Sequence, residues 1–329
     1  MGVVGGGAWG TALAHVMASH GLDVVLWALE KETVDDINGR HENKTWLADV
    51  PLHEGLRATG DMADLDACDY LFMVSPTQHV RDVSQSLCAS LSSPVPIIVC
   101  SKGVELKTGM LLHEVLRQTM ARHDVLALSG PSFAEETARM LPTTVLLAGE
   151  NRKQAQRLCR HLSSATFRPY VGTDVVGCLL SGAIKNVLAI GAGIVVGRGF
   201  GENARAALIT RGMAEMRRMA KACGAKTATI NGLAGCGDLM LTCMSMASRN
   251  TSVGYRVGRG ETLEHIIHGQ QTVAEGVATA RSLMALSSRQ GVEMPLCHAI
   301  HDVLYEGSDI DKMVYQLMTR PLVAEEPVR

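Results

Sequence analysis

Met1-Gly2-Val3-Val4-Gly5-Gly6-Gly7-Ala8-Trp9-Gly10 opens the chain and decides how the rest is read. A short apolar run meets Gly5, Gly7 and Gly10, and Thr11-Ala12-Leu13-Ala14 continues with helical spacing. This is G-x-G-x-x-G at a strand-to-helix junction. There the first glycine permits a tight turn, the second lets a pyrophosphate approach the backbone, and the third lets the helix pack closely on the strand. Free N–H groups at the helix start then face the anion. A plain βα turn is the competing reading, because glycine-rich turns are common. Asp23-Val24-Val25-Leu26-Trp27 supplies a second strand and closes a βαβ unit of about thirty residues, the usual size.

Outward from that unit, apolar strand-like runs alternate with helical patterns. Strands are expected at 69–74, 95–100, 125–128 and 143–148, and helices at 9–20, 31–38, 77–92, 108–121 and 151–162. A polar connection spans 41–51. This alternation predicts a Rossmann-type, doubly wound, mostly parallel α/β sheet. Ligands of such sheets lie beyond the carboxyl ends of the strands, where Ser75, Lys102, Gly130 and Ser132 fall. Near residue 175 the texture changes. The run 177–197 is apolar and rich in small residues, and helices are expected at 204–223, 248–259, 275–290, 295–305 and 309–319. Strand signals nearly vanish. The expected division is therefore a dinucleotide-binding domain over 1–175 and an all-α substrate and catalytic domain over 176–329. The polar tail 324–329 is expected to fray.

Composition narrows the classes. A chain of 329 residues suits two domains, and 47% hydrophobic with 19% charged residues suits a globular cytosolic protein. The net charge of 31 − 33 = −2 gives no field for nucleic acid or an acidic membrane, and 4% aromatics leave few platforms for base stacking. Most of the nine cysteines sit in apolar runs and read as reduced thiols, which points to the cytoplasm. Cys236 and Cys243 have no metal-ligand spacing around them, so no zinc site is expected. The first strand starts almost at Met1, so no signal peptide is expected, and its shortness is compatible with a few natural residues before it. The longest apolar stretch, 187–196, carries Gly191 and Gly193 and is expected to be too short to span a bilayer.

Five places could carry chemistry. Lys185-Asn186 interrupts a small-residue apolar helix. Lys185 either snorkels to solvent or serves as the acid that protonates a ketone oxygen during hydride reduction. In the oxidising direction it would act as a base and need a lowered pKa. Gly235-Cys236-Gly237-Asp238-Leu239 suggests a tight loop aiming one carboxylate, or an Asp capping the next helix. Ser248-Arg249-Asn250-Thr251-Ser252 gathers donors at a helix start, which suits a phosphate dianion, although an ordinary cap beside a surface Arg reads the same way. Lys102, before Gly103, is a second cation at a strand end, or a solvated lysine in a turn. Glu275, in Thr272-Val273-Ala274-Glu275-Gly276, opens a helix and could simply pair with its dipole.

Together these stretches resemble a family. Gly5 to Ala14, Ser101-Lys102-Gly103, Ser129-Gly130-Pro131-Ser132-Phe133-Ala134, Lys185-Asn186-Val187, Ala206-Ala207-Leu208-Ile209-Thr210-Arg211-Gly212, Gly237-Asp238-Leu239-Met240-Leu241-Thr242 and Ser248-Arg249-Asn250 are similar in order and spacing to bacterial NAD(P)-dependent glycerol-3-phosphate dehydrogenases. The resemblance covers nearly the whole chain. It implies reversible reduction of dihydroxyacetone phosphate to sn-glycerol 3-phosphate with NAD or NADP, at the entry to glycerophospholipid synthesis. It also implies a helical domain of the 6-phosphogluconate dehydrogenase kind. By the same resemblance, Gly5, Gly7, Ala8, Trp9, Gly10, Lys102, Ala134, Arg249, Val273 and Glu275 would hold the dinucleotide. Lys102, Gly130, Ser132, Lys185, Asp238, Ser248, Arg249 and Asn250 would hold the substrate, with Lys185 as acid/base. The expected partner is this small molecule, with no nucleic acid and no stable membrane insertion, and the expected assembly is a homodimer. Two departures stand out. Many members carry a basic residue just after the second strand, where this chain has Leu29-Glu30, and Ala48 stands where a Pro is usual.

Overall fold

The computed structural model describes residues 1–268 and 274–321. Its sheet contains β1 (Gly2–Val4), β2 (Val25–Trp27), β3 (Arg57–Thr59), β4 (Leu71–Met73), β5 (Ile97–Val99), β6 (Val125–Ser129), β7 (Thr143–Gly149) and β8 (Phe167–Gly172). The spatial order is β3-β2-β1-β4-β5-β6-β7-β8, and every neighbouring pair is parallel except β6 and β7. Gly2 pairs with Val25 on one side and Leu71 on the other, so the strand order reverses at β1. That reversal opens a crevice at the carboxyl ends, beside the glycine-rich turn.

Helices α1 (Ala8–Ser19), α2 (Lys31–Arg40), α3 (Val80–Ser90), α4 (Leu112–Thr119), α5 (Ala134–Ala138) and α6 (Arg152–Leu162) cover the two faces. The period of two in β4 sorts them. Phe72 faces the layer of Leu13, Val16 and Met17 from α1, whereas Leu71 and Met73 face Leu87 of α3 and Val115 of α4. Strands covered on both faces are continuous apolar runs, which is why the central ones were legible. β3 and β8 lie outside the expected strands. Both are edge strands: β3 has three residues, and β8 carries Pro169, which an edge tolerates because it lacks a ladder donor.

The last strand ends at Gly172, and α7 (Val175–Arg198) follows, capped by Asp174, whose Oδ1 accepts from Gly177 N at 2.8 Å. Helices α8 (Glu202–Ala222), α9 (Thr227–Ile230), α10 (Asp238–Met244), α11 (Arg249–Gly258), α13 (Glu275–Gln290) and α14 (Pro295–Tyr305) pack around it, with α12 (Leu263–His268) against α11 and α15 (Ile310–Met318) against α14. The first turns of α7, with Val175, Cys178 and Leu179, belong to the core under the sheet. Ala183, Ile184, Val187 and Leu188 belong to the helical core. One helix thus crosses from one core into the other, and Lys185 sits just past the crossing. The expected short apolar run is in fact part of a 24-residue helix, long and apolar enough by composition to cross a membrane, yet 94% of its most apolar window is buried within the protein. The tail at 324–329 lies outside the described residues.

Candidate active site

The glycine-rich turn has the geometry its spacing requires. Gly5 has φ +131°, and a Cβ there would lie 3.0 Å from the Val74 carbonyl carbon. A Cβ on Gly10 would lie 2.0 Å from Gly5 O, so only glycine lets α1 start against the strand. A Cβ on Gly7 would meet nothing within 4 Å, which leaves its face open. Gly7 is the N-cap of α1 and offers no side-chain cap, so the first-turn N–H groups at Ala8, Trp9 and Gly10 meet no capping oxygen. An open face, a left-handed glycine and uncapped donors at a helix start fit a dinucleotide phosphate.

At the junction of the two halves, three charged side chains meet. Lys185 is only 7% exposed and does not snorkel. Its Nζ donates to Asp238 Oδ1 at 2.9 Å and to Thr242 Oγ1 at 2.8 Å. Lys102, arriving from the loop after β5, donates to the other carboxylate oxygen, Oδ2, at 2.7 Å and to Gly130 O at 3.3 Å. The stem of Lys102 runs over Gly182, one turn before Lys185, where a Cβ would lie 3.1 Å from its Cγ. Burial pushes the Lys185 pKa down to about 8; Asp238 opposes the fall and Lys102 adds to it. Burial alone would raise the Asp238 carboxyl, but the Lys102 and Lys185 ammonium groups outweigh it and hold it below the usual carboxylate range. Asp238 neither ends a loop nor caps the next helix, the two readings its sequence allowed: it is the first residue of α10, whose N-cap is Gly237. Leu233–Gly237 forms a π-helical turn leading straight into α10, and Gly235 is needed there because a Cβ would lie 1.9 Å from Ile230 O.

The remaining candidates surround this cluster. Gly130, at φ +154°, has its carbonyl shared by Lys102 and by Ser132 Oγ, which donates to it at 3.0 Å. Ala134 opens α5 and packs on the core beside α1. Ser248 caps α11, accepting from Thr251 N at 3.2 Å, and so fulfils the capping reading. Arg249 is exposed and makes no hydrogen bond or ion pair among the described residues. Asn250 is buried and links three elements: its Nδ2 donates to Asn186 Oδ1 at 2.9 Å, and its Oδ1 accepts from Gly276 N at 2.9 Å. Asn186 in turn donates to Lys102 O at 3.2 Å. Glu275 reaches across to the sheet, where Oε1 accepts from Thr77 N at 3.0 Å. Burial raises its pKa, while Thr77 and Arg249 pull it back. Val273 lies outside the described residues.

Thr242 and Asn186 were given no role from sequence, yet both are central here. Thr242 stands four residues after Asp238 on the same helical face, accepts from Lys185 and donates to Asp238 O at 2.6 Å. That spacing was the available signal. The arrangement can hold an ammonium whose proton is exchangeable near neutral pH, next to a second cation and within reach of both halves of the molecule.

Both halves of the chain match known proteins. A family described as NAD-dependent glycerol-3-phosphate dehydrogenase N-terminus matches residues 1–155, and one described as the C-terminus of the same enzyme matches residues 174–315. The chain is 47% identical over 323 residues to a glycerol-3-phosphate dehydrogenase [NAD(P)+] of Parvibaculum lavamentivorans, covering 98% of this chain and 97% of that protein. It is 46% identical over 324 residues to one of Hyphomonas neptunium, covering 98% and 96%. Its structure is similar to the crystal structure of a glycerol-3-phosphate dehydrogenase from Coxiella burnetii, with a TM-score of 0.93, 36% identity, and coverage of 97% and 98%.

Proposed function

The chain belongs to the NAD-dependent glycerol-3-phosphate dehydrogenase family, and on that premise we propose that it interconverts dihydroxyacetone phosphate and sn-glycerol 3-phosphate. It is an NAD(P)-dependent oxidoreductase. When bound, the reduced nicotinamide supplies the hydride for the C2 carbon of the ketone. The glycine-rich turn, with Gly5, Gly7, Ala8, Trp9 and Gly10, holds the dinucleotide phosphates, and Ala134, Arg249, Val273 and Glu275 complete that site. Lys185 donates the proton that the ketone oxygen needs as negative charge builds there. Asp238 and Thr242 aim its Nζ. Lys102, Gly130, Ser132, Ser248, Arg249 and Asn250 enclose the three-carbon phosphate ester, with Arg249, shared with the dinucleotide site, supplying a cation for the phosphate dianion.

One observation carries the proposal: a buried lysine on the helical half and a lysine on the sheet half share a single carboxylate, 2.9 and 2.7 Å away. The working division falls between residues 175 and 176. The proposal extends to a cytoplasmic homodimer without membrane insertion, supplying glycerophospholipid synthesis. Burial of α7 supports the absence of insertion. The exposed Tyr315 and Met318 of α15, a helix with no buried residue, support a self-association face. The test is to follow oxidation of NADH and NADPH in parallel with dihydroxyacetone phosphate; no oxidation of either would refute the assignment.

A further inference from the structure

The glycine-rich turn, the end of β2 and the first turn of α2 form one packed unit. A Cβ on Gly6 would lie 2.6 Å from Ala28 Cβ and 3.1 Å from Thr33 Cγ2. Ala28 N donates to Thr59 O at 3.0 Å, so the end of β3 joins the same edge. In sheets of this topology, the residue just past the second strand reads the adenosine ribose: a carboxylate accepts from a 2′-hydroxyl, whereas a cation is needed for a 2′-phosphate. Here that position is Leu29-Glu30. Leu29 is 79% exposed and brings no charge. Glu30 is the N-cap of α2 but its side chain makes no cap bond, and it has no ion-pair partner among the described residues.

The neighbouring cations point elsewhere. Lys31 Nζ turns along α2 to Asp35 at 3.1 Å, Arg40 binds Asp36 and Glu42, and Lys44 binds Glu42 at 3.0 Å. Past β3, exposed Asp61 and Asp64 add two carboxylates to the same edge of the sheet. A 2′-phosphate carrying close to two negative charges would therefore enter a field of its own sign.

Resting on the dinucleotide reading above, we propose that this chain selects NAD(H) and rejects NADP(H), with Glu30 as the ribose acceptor and Leu29 as the missing cation. Direct binding tests it, without turnover: fluorescence titration of the full chain with NADH and with NADPH at low salt. Repulsion between the extra phosphate and these surface carboxylates should make NADPH bind about tenfold or more weaker than NADH, and the gap should narrow in 1 M salt. Leu29→Arg and Glu30→Gln, both at exposed positions, should each reduce the ratio, and the double substitution should reduce it most. Equal affinities in the wild type, or tighter NADPH, would overturn the proposal. A wild-type preference that both substitutions leave unchanged would remove Leu29 and Glu30 as its cause. Binding of neither dinucleotide would overturn the selectivity and the cofactor assignment together.

Discussion

Lys185 is held between burial, which disfavours its charge, and Asp238, which restores it. With a pKa near 8, it keeps its proton below that pH and loses it above. Ketone reduction needs the protonated form, so kcat/KM for dihydroxyacetone phosphate should fall about tenfold per pH unit above roughly 8. Alcohol oxidation needs the neutral amine and should rise through the same pH. A flat profile for both directions between pH 7 and 10 would contradict the assignment. Asp238→Asn removes the group that raises the Lys185 pKa, so the descending limb for reduction should move to lower pH. It also leaves two ammonium groups facing a neutral amide, and denaturant unfolding should show a loss of about 3 kcal/mol, the low end for a broken buried pair because Lys102 is partly solvated. Arg249 makes no hydrogen bond among the described residues and has the Glu275 carboxylate as a charged neighbour. Arg249→Ala should raise KM for dihydroxyacetone phosphate by about 10- to 100-fold, the worth of a charged hydrogen bond, and leave dihydroxyacetone little changed. Equal losses would remove it from the phosphate site. At this scale the sequence was informative about anomalies: an ammonium in an apolar helix is rare enough to notice, whereas Thr242 in an apolar helix is ordinary and passed unseen.

The elements are held in place by glycines that let backbones touch. A Cβ on Gly193 would lie 2.1 Å from Thr251 O, and one on Gly254 would lie 1.9 Å from Ile190 O. A turn further on, Gly197 and Gly258 repeat the contact against Tyr255 O and Ile194 O at 2.2 and 2.5 Å. Helices α7 and α11 therefore cross with no side chain between them. This sets the height of the α11 amino end, and with it Ser248, Arg249 and Asn250. Gly254→Ala should force the helices apart, cost roughly 1–3 kcal/mol in unfolding free energy, and lower turnover. A variant with unchanged stability would show that the contact is not tight. The four-residue spacing of these glycines is visible in the chain, but its meaning depends on knowing which two helices meet. The same holds for Asp238: two glycines before an acid read as a loop, and only packing against Ile230 turns them into a helical turn. Central strands such as Ile97–Val99 were legible because both faces are apolar, whereas β3 and β8 face solvent on one side and blend into loops.

Across the whole molecule, the two halves are joined at their chemistry. Lys102 from the sheet and Lys185 from α7 converge on Asp238, Glu275 of α13 accepts from Thr77 N after β4, and Ser282 Oγ donates to Val104 O at 2.9 Å. The motifs along the chain signalled Lys102, Lys185, Asp238 and Glu275, but not that one carboxylate would serve both lysines, since residues 102, 185 and 238 meet only through the tertiary fold. In the proposed reading, the glycine-rich turn of the sheet half holds the dinucleotide phosphates, and Lys185 of the helical half supplies the proton. Lys185→Met keeps an unbranched stem and removes the ammonium that carries the proton. Turnover of NADH with dihydroxyacetone phosphate, measured beside the equilibrium dissociation constant for NADH, should show at least a 10²-fold loss of kcat, in the range of general acid catalysis, with an NADH affinity within about threefold of wild type (about 0.6 kcal/mol). Turnover that survives the substitution, or that falls only in step with NADH affinity, would contradict the role given to Lys185.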